Sequence, residues 1–345
     1  MTEQAHAPHA AQPGLVPASS SDAGSVPTRA AGEGWEGPTY YGRAQLKAAP
    51  FNNWAVGAYI FLAGLSGASA LVGALAARHE HGRATLRRGR YLSLLAPTLG
   101  SALLVWDLHS PKRFYNMMRV AKATSPMSIG TWTLLGFSGF AGVAAGVQFI
   151  TDHVPGTKWL RGLGRAAQVP AAVTGAVLST YTAALLAATS TPVWAAAPRS
   201  LGVRFGASSI ASGAAALALG EESQALRRRL DALTVGALAV ELVAAQASHR
   251  AYRQTGVHEA LDSTWGRTEG AVATGAGVML PLALHTALFL VGSRRDGGFA
   301  RLSRLLVLGG SAMLRVSMLG LGGVSAERPG ISFRFSQPEN LPKVS

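Results

Sequence analysis

Long apolar stretches alternate with short polar connectors along most of this chain. Eight such stretches lie at about 54–77, 91–109, 129–151, 167–189, 200–220, 231–249, 270–292 and 301–321. Each is close to the ~20 residues that an α-helix needs to cross a bilayer. The pattern therefore predicts an all-α integral membrane protein of about eight transmembrane helices arranged in helical bundles.

The two ends of the chain lack this pattern. Residues 1–38 are rich in Ala, Pro and Ser and have few large apolar side chains. Such a segment cannot bury enough surface to offset its ordering entropy, so we predict a disordered tail. It also lacks the basic start and apolar core of a signal peptide, so insertion is expected to use the first span. We assign residues 39–325 to the membrane domain and 326–345 to a C-terminal tail.

Basic residues in the connectors predict the orientation. They are concentrated in the first, third, fifth and seventh connectors: Arg78, Arg83, Arg87, Arg88, Arg90, Lys158, Arg161, Arg165, Arg227, Arg228, Arg229, Arg294, Arg295 and Arg301. Cytoplasmic loops carry an excess of Lys and Arg, so these connectors are placed in the cytoplasm. With an even number of spans, both termini are then extracytoplasmic. The basic loop at 112–122 runs against this rule.

The composition of the chain excludes several classes of function. The chain is 48% hydrophobic and 14% charged, with a formal net charge of +14. Its basic residues are scattered through short loops, which argues against nucleic-acid binding. The absence of Cys excludes a thiolate-ligated iron-sulfur cluster in this chain. Only His285 lies well inside a predicted span, so a haem held by two His is not expected.

The connector between the second and third apolar stretches carries most of the candidate chemistry. Residues 106–132 read WDLHSPKRFYNMMRVAKATSPMSIGTW. Asp107 and His109 lie at the end of the second span, where an ionisable group is costly and often functional. Pro111 and Pro126 delimit a predicted interfacial helix. The alternative is that the charges in this loop are simply solvated.

These residues resemble the NrfD or polysulfide reductase membrane-subunit family. The loop DLHSPKRFYNMMRVAKATSPMSIGTW is its most diagnostic match, and YYGRAQLKAAP, AYIFLAGLSGASALVGALAA, YTAALLAATSTPVW, FGASSIASGAAAL and LRVSMLGLGGVSAERP follow the family order over residues 39–330. The resemblance implies a haem-free, multi-pass subunit in the bacterial inner membrane that reacts with menaquinone or ubiquinone. It also implies two partners: an extracytoplasmic, ferredoxin-like iron-sulfur subunit with four clusters, and a molybdopterin or other catalytic subunit.

The predicted topology brings several of these side chains to one face of the membrane. A quinone site needs an apolar slot, hydrogen-bond donors for the carbonyl oxygens and a group that exchanges protons. The resemblance implies that Tyr181 is the donor and that Asp107 and His109 exchange protons. The quinone-binding set is Tyr59, Tyr181, His109 and Trp132, and the partner-docking set is Lys112, Arg113, Asn116 and Arg119. Interfacial packing is the competing explanation for both tyrosines.

Three ionisable residues are predicted to lie deeper in the membrane. Glu241 is near the middle of the sixth span, His285 in the seventh and Arg315 in the eighth. Isolated charges there are costly, so these residues should find partners or line water. Glu241 and Arg315 form a structural ion pair in one interpretation. In the other, Glu241, His285 and Arg315 belong to a proton route that begins at Tyr181.

The sequence is compatible with three functions. The first is a quinone-interacting subunit of a respiratory complex, and the second is a passive anchor for extracytoplasmic enzymes. A secondary transporter is the third, although paired broken helices in two inverted repeats are not visible in the sequence. The terminal substrate and the direction of electron flow depend on other subunits.

Overall fold

The computed structural model describes residues 43–107, 111–119, 121–290 and 297–342, and this part of the chain is helical without any β-strand. The α-helices are α1 Asn53–Ala76, α2 Arg83–Leu92, α3 Ser101–Asp107, α4 Pro126–His153, α5 Arg161–Ala187, α6 Pro192–Ala195, α7 Pro198–Leu219, α8 Gln224–Gln254, α9 Thr264–Thr268, α10 Leu280–Leu290, α11 Gly298–Glu327 and α12 Pro329–Phe335. Ala96–Gly100 and Glu269–Met279 are π-helical, and Pro111–Met118, Thr157–Leu160, His258–Asp262 and Pro338–Asn340 are 3₁₀ segments. The tail predicted at 1–38 lies outside the described residues.

Seven helices in the described residues are long and apolar enough to cross a membrane. They are Asn53–Ala76, Pro126–His153, Thr157–Ala187, Pro198–Leu219, Gln224–Gln254, Thr264–Ala287 and Gly298–Glu327. The prediction of an all-α, multi-pass membrane protein is confirmed. The total of eight spans and the side of the termini stay predictions, because the second apolar stretch does not form one continuous α-helix.

That second stretch, 91–109, contains a break in its helix. α2 ends at Leu92, a π-helical turn covers Ala96–Gly100, and α3 follows. Pro97 lies in the turn, and because it has no N–H to donate, it removes one hydrogen bond of a regular α-helix at this place. The Ser66 hydroxyl of α1 satisfies the break, since it donates to the Leu92 carbonyl at 3.2 Å and accepts from the Ala96 N–H at 2.9 Å.

The helices form two groups that meet through α1 and through the packing of α5 on α7. The first helix group, α1–α5, includes the Ala96–Gly100 turn, and the second helix group, α7–α11, includes the Glu269–Met279 segment. α1 packs against α2 and α5 in the first group and against α7 and α11 in the second. Small residues allow this, because a Cβ added at Gly67 would lie 2.2 Å from the Gly175 carbonyl oxygen of α5.

Polar residues fix the helix ends. Asn52 and Ser125 cap the N-termini of α1 and α4, and Ser223 caps α8, as their side-chain oxygens accept backbone N–H groups of the first turn. The turn between α7 and α8 occupies only residues 220–223, so these two helices run antiparallel as a hairpin. Beyond α11, the short helix α12 lies within the segment assigned to the C-terminal tail.

Candidate functional site

Tyr59 of α1 and Tyr181 of α5 lie together in the first helix group. The Tyr59 side chain is 8% exposed, and Tyr181 is half-buried. A Cβ added at Gly130 of α4 would lie 1.7 Å from the Tyr181 Cζ, and one added at Gly100 would lie 3.4 Å from the Tyr59 Cδ2. Four elements therefore enclose the two phenols, and the Tyr181 ring occupies the space where any other residue at position 130 would place a side chain.

The hydroxyl groups of Tyr59 and Tyr181 are available as hydrogen-bond donors and acceptors. Among the hydrogen bonds made by the described residues, none involves either hydroxyl. The surroundings are apolar, since Tyr181 packs against a buried cluster that includes Phe137 and Leu178. Apolar surroundings with two hydrogen-bond donors, named here the tyrosine slot, have the chemistry that binds a quinone ring and its carbonyl oxygens.

Asp107 lies nearer than the phenols to the end of the bundle at which α1 begins. Its carboxylate accepts the Asn52 N–H at 3.1 Å, and Asn52 in turn caps α1. Seven residues separate Asn52 from Tyr59, which corresponds to about 10 Å along the helix axis. Asp107 thus joins the end of α3 to the start of α1, above the tyrosine pair. His109, its predicted companion, lies outside the described residues.

Trp132 is on α4, two residues after Gly130. Two residues turn an α-helix by about 200°, so Trp132 is on the side of α4 opposite the one that faces Tyr181. It is 43% exposed. The structure therefore brings Tyr59 and Tyr181 together, and the role of Trp132 in quinone binding stays a prediction.

The basic loop between α3 and α4 presents a mixed charged and aromatic surface. Lys112, Asn116 and Arg119 are exposed. Phe114 and Tyr115 are 42% and 53% exposed and meet edge to face, with 6.5 Å between ring centroids. The side chain of Arg113, the fourth predicted docking residue, lies outside the described part of the chain.

A buried ion pair lies in the second helix group. Arg204 of α7 and Glu269, the first residue of the π-helical segment, are 0% and 1% exposed. The Arg204 Nη2 donates to the Glu269 carboxylate and to the Thr274 hydroxyl, the latter at 2.7 Å. Thr274 donates back to Glu269 at 2.7 Å. These contacts join α7 to the π-helical segment.

The end of α8 extends this cluster toward the surface. The His249 Nε2 lies 3.6 Å from the Glu269 Oε2, and the His249 side chain is 35% exposed. The Tyr252 hydroxyl is buried near the charges of Arg204 and Glu269. This hydroxyl also lies near Ser248. Within the described residues, the Arg204 Nε and Nη1 have no hydrogen-bond partner. The cluster therefore combines fixed charges with unused donors close to a partly exposed imidazole.

Glu241 and Arg315 meet at the same serine deeper in the group. The Arg315 guanidinium donates five hydrogen bonds, to the Ser208, Ser209 and Ser311 hydroxyls and to the Phe205 and Ser311 carbonyls. Ser208 also interacts with the Glu241 carboxylate, which lies within electrostatic reach of both Arg204 and Arg315. Glu241 thus lies near Ser208, which accepts a hydrogen bond from Arg315, and within electrostatic reach of the Arg204 cluster.

His285 belongs to another polar group, toward the α7–α8 turn. Arg304 donates to the two Asp231 carboxylate oxygens at 3.0 and 2.7 Å, and His285 lies near both charges. Tyr181, by contrast, lies in the first helix group. The three residues of the predicted proton route, Tyr181, Glu241 and His285, therefore lie in three separate clusters of polar side chains. The route stays a prediction.

Sequence reasoning did not single out Arg204, Glu269 or Tyr252. A signal was available for Arg204, which is a charged residue inside the fifth apolar stretch, 200–220. Glu269 was hidden because it precedes the seventh stretch by one residue. Tyr252 follows the predicted end of the sixth stretch, whereas α8 continues to Gln254.

More than half of the candidate-site residues lie in a segment that matches a known protein family. Residues 47–221 match the model described as polysulphide reductase, NrfD, which covers half of the chain. The chain belongs to the NrfD family. It is therefore a multi-pass membrane subunit of the kind found in respiratory oxidoreductase complexes, as the loop at 106–132 predicted. None of the curated proteins matches the sequence. The described residues of this NrfD family member contain no group of three or more His, Asp or Glu that could hold a metal ion.

Proposed function

We propose that this chain is the quinone-interacting subunit of an oxidoreductase complex in the bacterial inner membrane. In this proposal it exchanges electrons between menaquinol or ubiquinol and an extracytoplasmic iron-sulfur subunit. The observation that carries the proposal is the pair of phenols, Tyr59 and Tyr181, whose hydroxyls have no protein partner among the described residues and which pack against apolar side chains. A quinol bound there supplies two electrons and two protons.

Each residue of the slot has a distinct task in this proposal. Tyr181, which is half-buried, donates a hydrogen bond to a carbonyl oxygen of the ring. Tyr59 lies deeper and supports Tyr181 or donates to the ring itself. Asp107, nearer the surface, exchanges the released protons with water, together with His109. Gly130 keeps the space for the Tyr181 ring open.

The electrons leave through a partner in this proposal, because a chain without Cys cannot itself hold a thiolate-ligated cluster. The exposed residues Lys112, Asn116 and Arg119 form the proposed docking surface with Arg113. The positive charge of Lys112, Arg113 and Arg119 favours an acidic or neutral face of a four-cluster iron-sulfur subunit. A molybdopterin or other catalytic subunit completes the proposed complex.

A proton route through the second helix group is the further part of this proposal. Its residues are Glu241, His285 and Arg315. Support comes from the burial of Glu241, which is 3% exposed, beside the Ser208 hydroxyl. A carboxyl group in that position can accept and release a proton, whereas Arg315 keeps its charge and orients the serines.

Replacing Tyr181 by Phe tests the quinone site, because it removes only the hydroxyl. A lost hydrogen bond to a buried partner costs about 1 to 3 kcal/mol, so quinol turnover of the purified complex should fall at least several-fold. Assembly and melting temperature should remain those of the wild type. Unchanged turnover with a soluble menaquinol analogue would remove Tyr181 from the site.

The same assay separates this function from a passive anchor. A passive anchor holds its partners in place and binds no quinone, so quinol would not reduce the clusters of the partner subunit in the wild-type complex. A secondary transporter would instead move a substrate into sealed vesicles without a partner. Quinol-dependent cluster reduction is expected here.

A further inference from the structure

A groove runs between α7 and α8 on the outer surface of the second helix group. It has a volume of about 450 Å³. Its walls are apolar side chains that face outward, among them Val203, Val240 and Val243, which are 51%, 48% and 70% exposed. Ala244 and Ala247 also line the groove, and their small side chains leave its volume unfilled. A slot of this kind on a membrane helix pair is open to lipid along its length.

One end of the groove is basic. Arg199, which lines the groove, is the second residue of α7 and is exposed. The Ser248 hydroxyl donates to the Ser200 hydroxyl at 2.9 Å, and this bond fixes the register of the antiparallel pair. Arg199 is therefore level with the residues of α8 just after Ser248.

Arg250 of α8 lies at the same end. It follows Val243 by seven residues, or two helical turns, so both are on one side of α8. It follows Ser248 by two residues, or about 3 Å along the axis. Arg250 is exposed. The groove thus has an apolar body and, at one end, a basic residue from each helix.

We propose that this groove is a binding site for one anionic phospholipid. One acyl chain lies along the valine-lined body, and the phosphate lies between the Arg199 and Arg250 guanidinium groups. Guanidinium groups bind phosphate oxygens through paired, charge-assisted hydrogen bonds. Basic pockets between membrane helices bind anionic headgroups in the same manner. The apolar lining alone fits any lipid or quinone tail, so the two arginines select the anionic headgroup.

The test measures which lipid stays with the full complex after purification in a neutral detergent. Wild-type complex incubated with equal amounts of phosphatidylglycerol and phosphatidylcholine should retain the former in preference, by native mass spectrometry. Arg199→Gln combined with Arg250→Gln should lower phosphatidylglycerol retention on the order of tenfold. Arg267→Gln is the matched control, because Arg267 is an exposed basic residue of a different helix, α9, and does not line the groove.

A separate variant tests whether the acyl chain lies in the groove. Ala247→Phe fills the floor of the groove and should also reduce phosphatidylglycerol retention, while both arginines remain. Equal retention of the two lipids by the wild type would overturn the proposal without any variant. It would also be overturned if the double arginine variant kept its phosphatidylglycerol, or if Ala247→Phe displaced a quinone and left phosphatidylglycerol in place.

Discussion

In the first helix group, the buried functional candidates are neutral phenols, whereas the second group encloses a fully buried ion pair and a further Arg and Glu. Tyr59 and Tyr181 can stay neutral in an apolar slot and bind or release a ligand without moving a charge. Arg204 and Glu269 are buried as charges, which costs several kcal/mol per ion unless both are well paired. In the proposed function, the first group would exchange the ligand and the second would hold or relay charge.

The family match divides the molecule along nearly the same line. Residues 47–221 include every described member of the tyrosine slot, together with the basic loop. Of the charged cluster in the second group, the match includes Arg204 but not Glu241, Glu269 or Arg315. The residues in the proposals on the first helix group therefore lie within the family match. The proposals on the second helix group depend mainly on the contacts of its side chains.

The largest effect is expected from breaking the buried ion pair. Glu269→Ala leaves Arg204 charged and enclosed, which costs about 3 to 5 kcal/mol and should greatly reduce the yield of assembled complex. Glu327→Ala is the control, since Glu327 is an exposed carboxylate at the end of α11. Yield and melting temperature after detergent extraction report the outcome.

Replacing both residues of the ion pair distinguishes a structural role of the pair from a role in proton movement. Changing Arg204 and Glu269 to Met together removes both charges, and such exchanges are often neutral for stability. Recovered assembly with normal proton movement would assign the pair a structural role only. A stable Glu269→Ala variant would show that Arg204 is not enclosed as the structure has it.

The docking surface should give the next largest effect. Lys112→Glu combined with Arg119→Glu reverses the charge of two exposed residues, so the iron-sulfur subunit should leave the membrane, and more of it as salt rises. Lys158→Glu with Arg228→Glu is the matched control, because these exposed residues lie in connectors predicted for the opposite side. Full retention of the partner by the docking variant at high salt would count against this surface.

The tyrosine slot can be tested by steric means. Gly130→Ala places a Cβ within the Tyr181 ring and must displace that ring, so quinol turnover should fall roughly tenfold or more. Gly139→Ala on the same helix meets nothing within 4 Å and should leave turnover unchanged while favouring the helix by up to ~1 kcal/mol. Equal turnover of the two variants would mean that the position of Tyr181 does not matter.

Several elements could be predicted from the sequence because apolar length alone determines them. α1 was expected at 54–77 and is observed at Asn53–Ala76. The break near Pro97 could not be located, because it depends on Ser66 of another helix to satisfy the freed backbone groups. The burial of Tyr181 against Gly130 was equally hidden, since only the packing of α4 on α5 brings them together. The site residues followed from the family resemblance, and their contacts required the structure.

The smallest effect on stability is expected from Glu241, although it is as buried as Glu269. Glu241→Gln keeps the size of the side chain and its contact with Ser208, and Arg315 retains its five hydrogen bonds to serine and carbonyl oxygens. Assembly and melting temperature should therefore remain close to those of the wild type. If Glu241 relays protons, the pH change across proteoliposomes during quinol turnover should disappear, since an amide cannot exchange protons as a carboxyl group does. Wild-type proton movement in a stable Glu241→Gln complex would contradict the route, whereas a collapse of assembly like that of Glu269→Ala would make Glu241 a structural counter-ion.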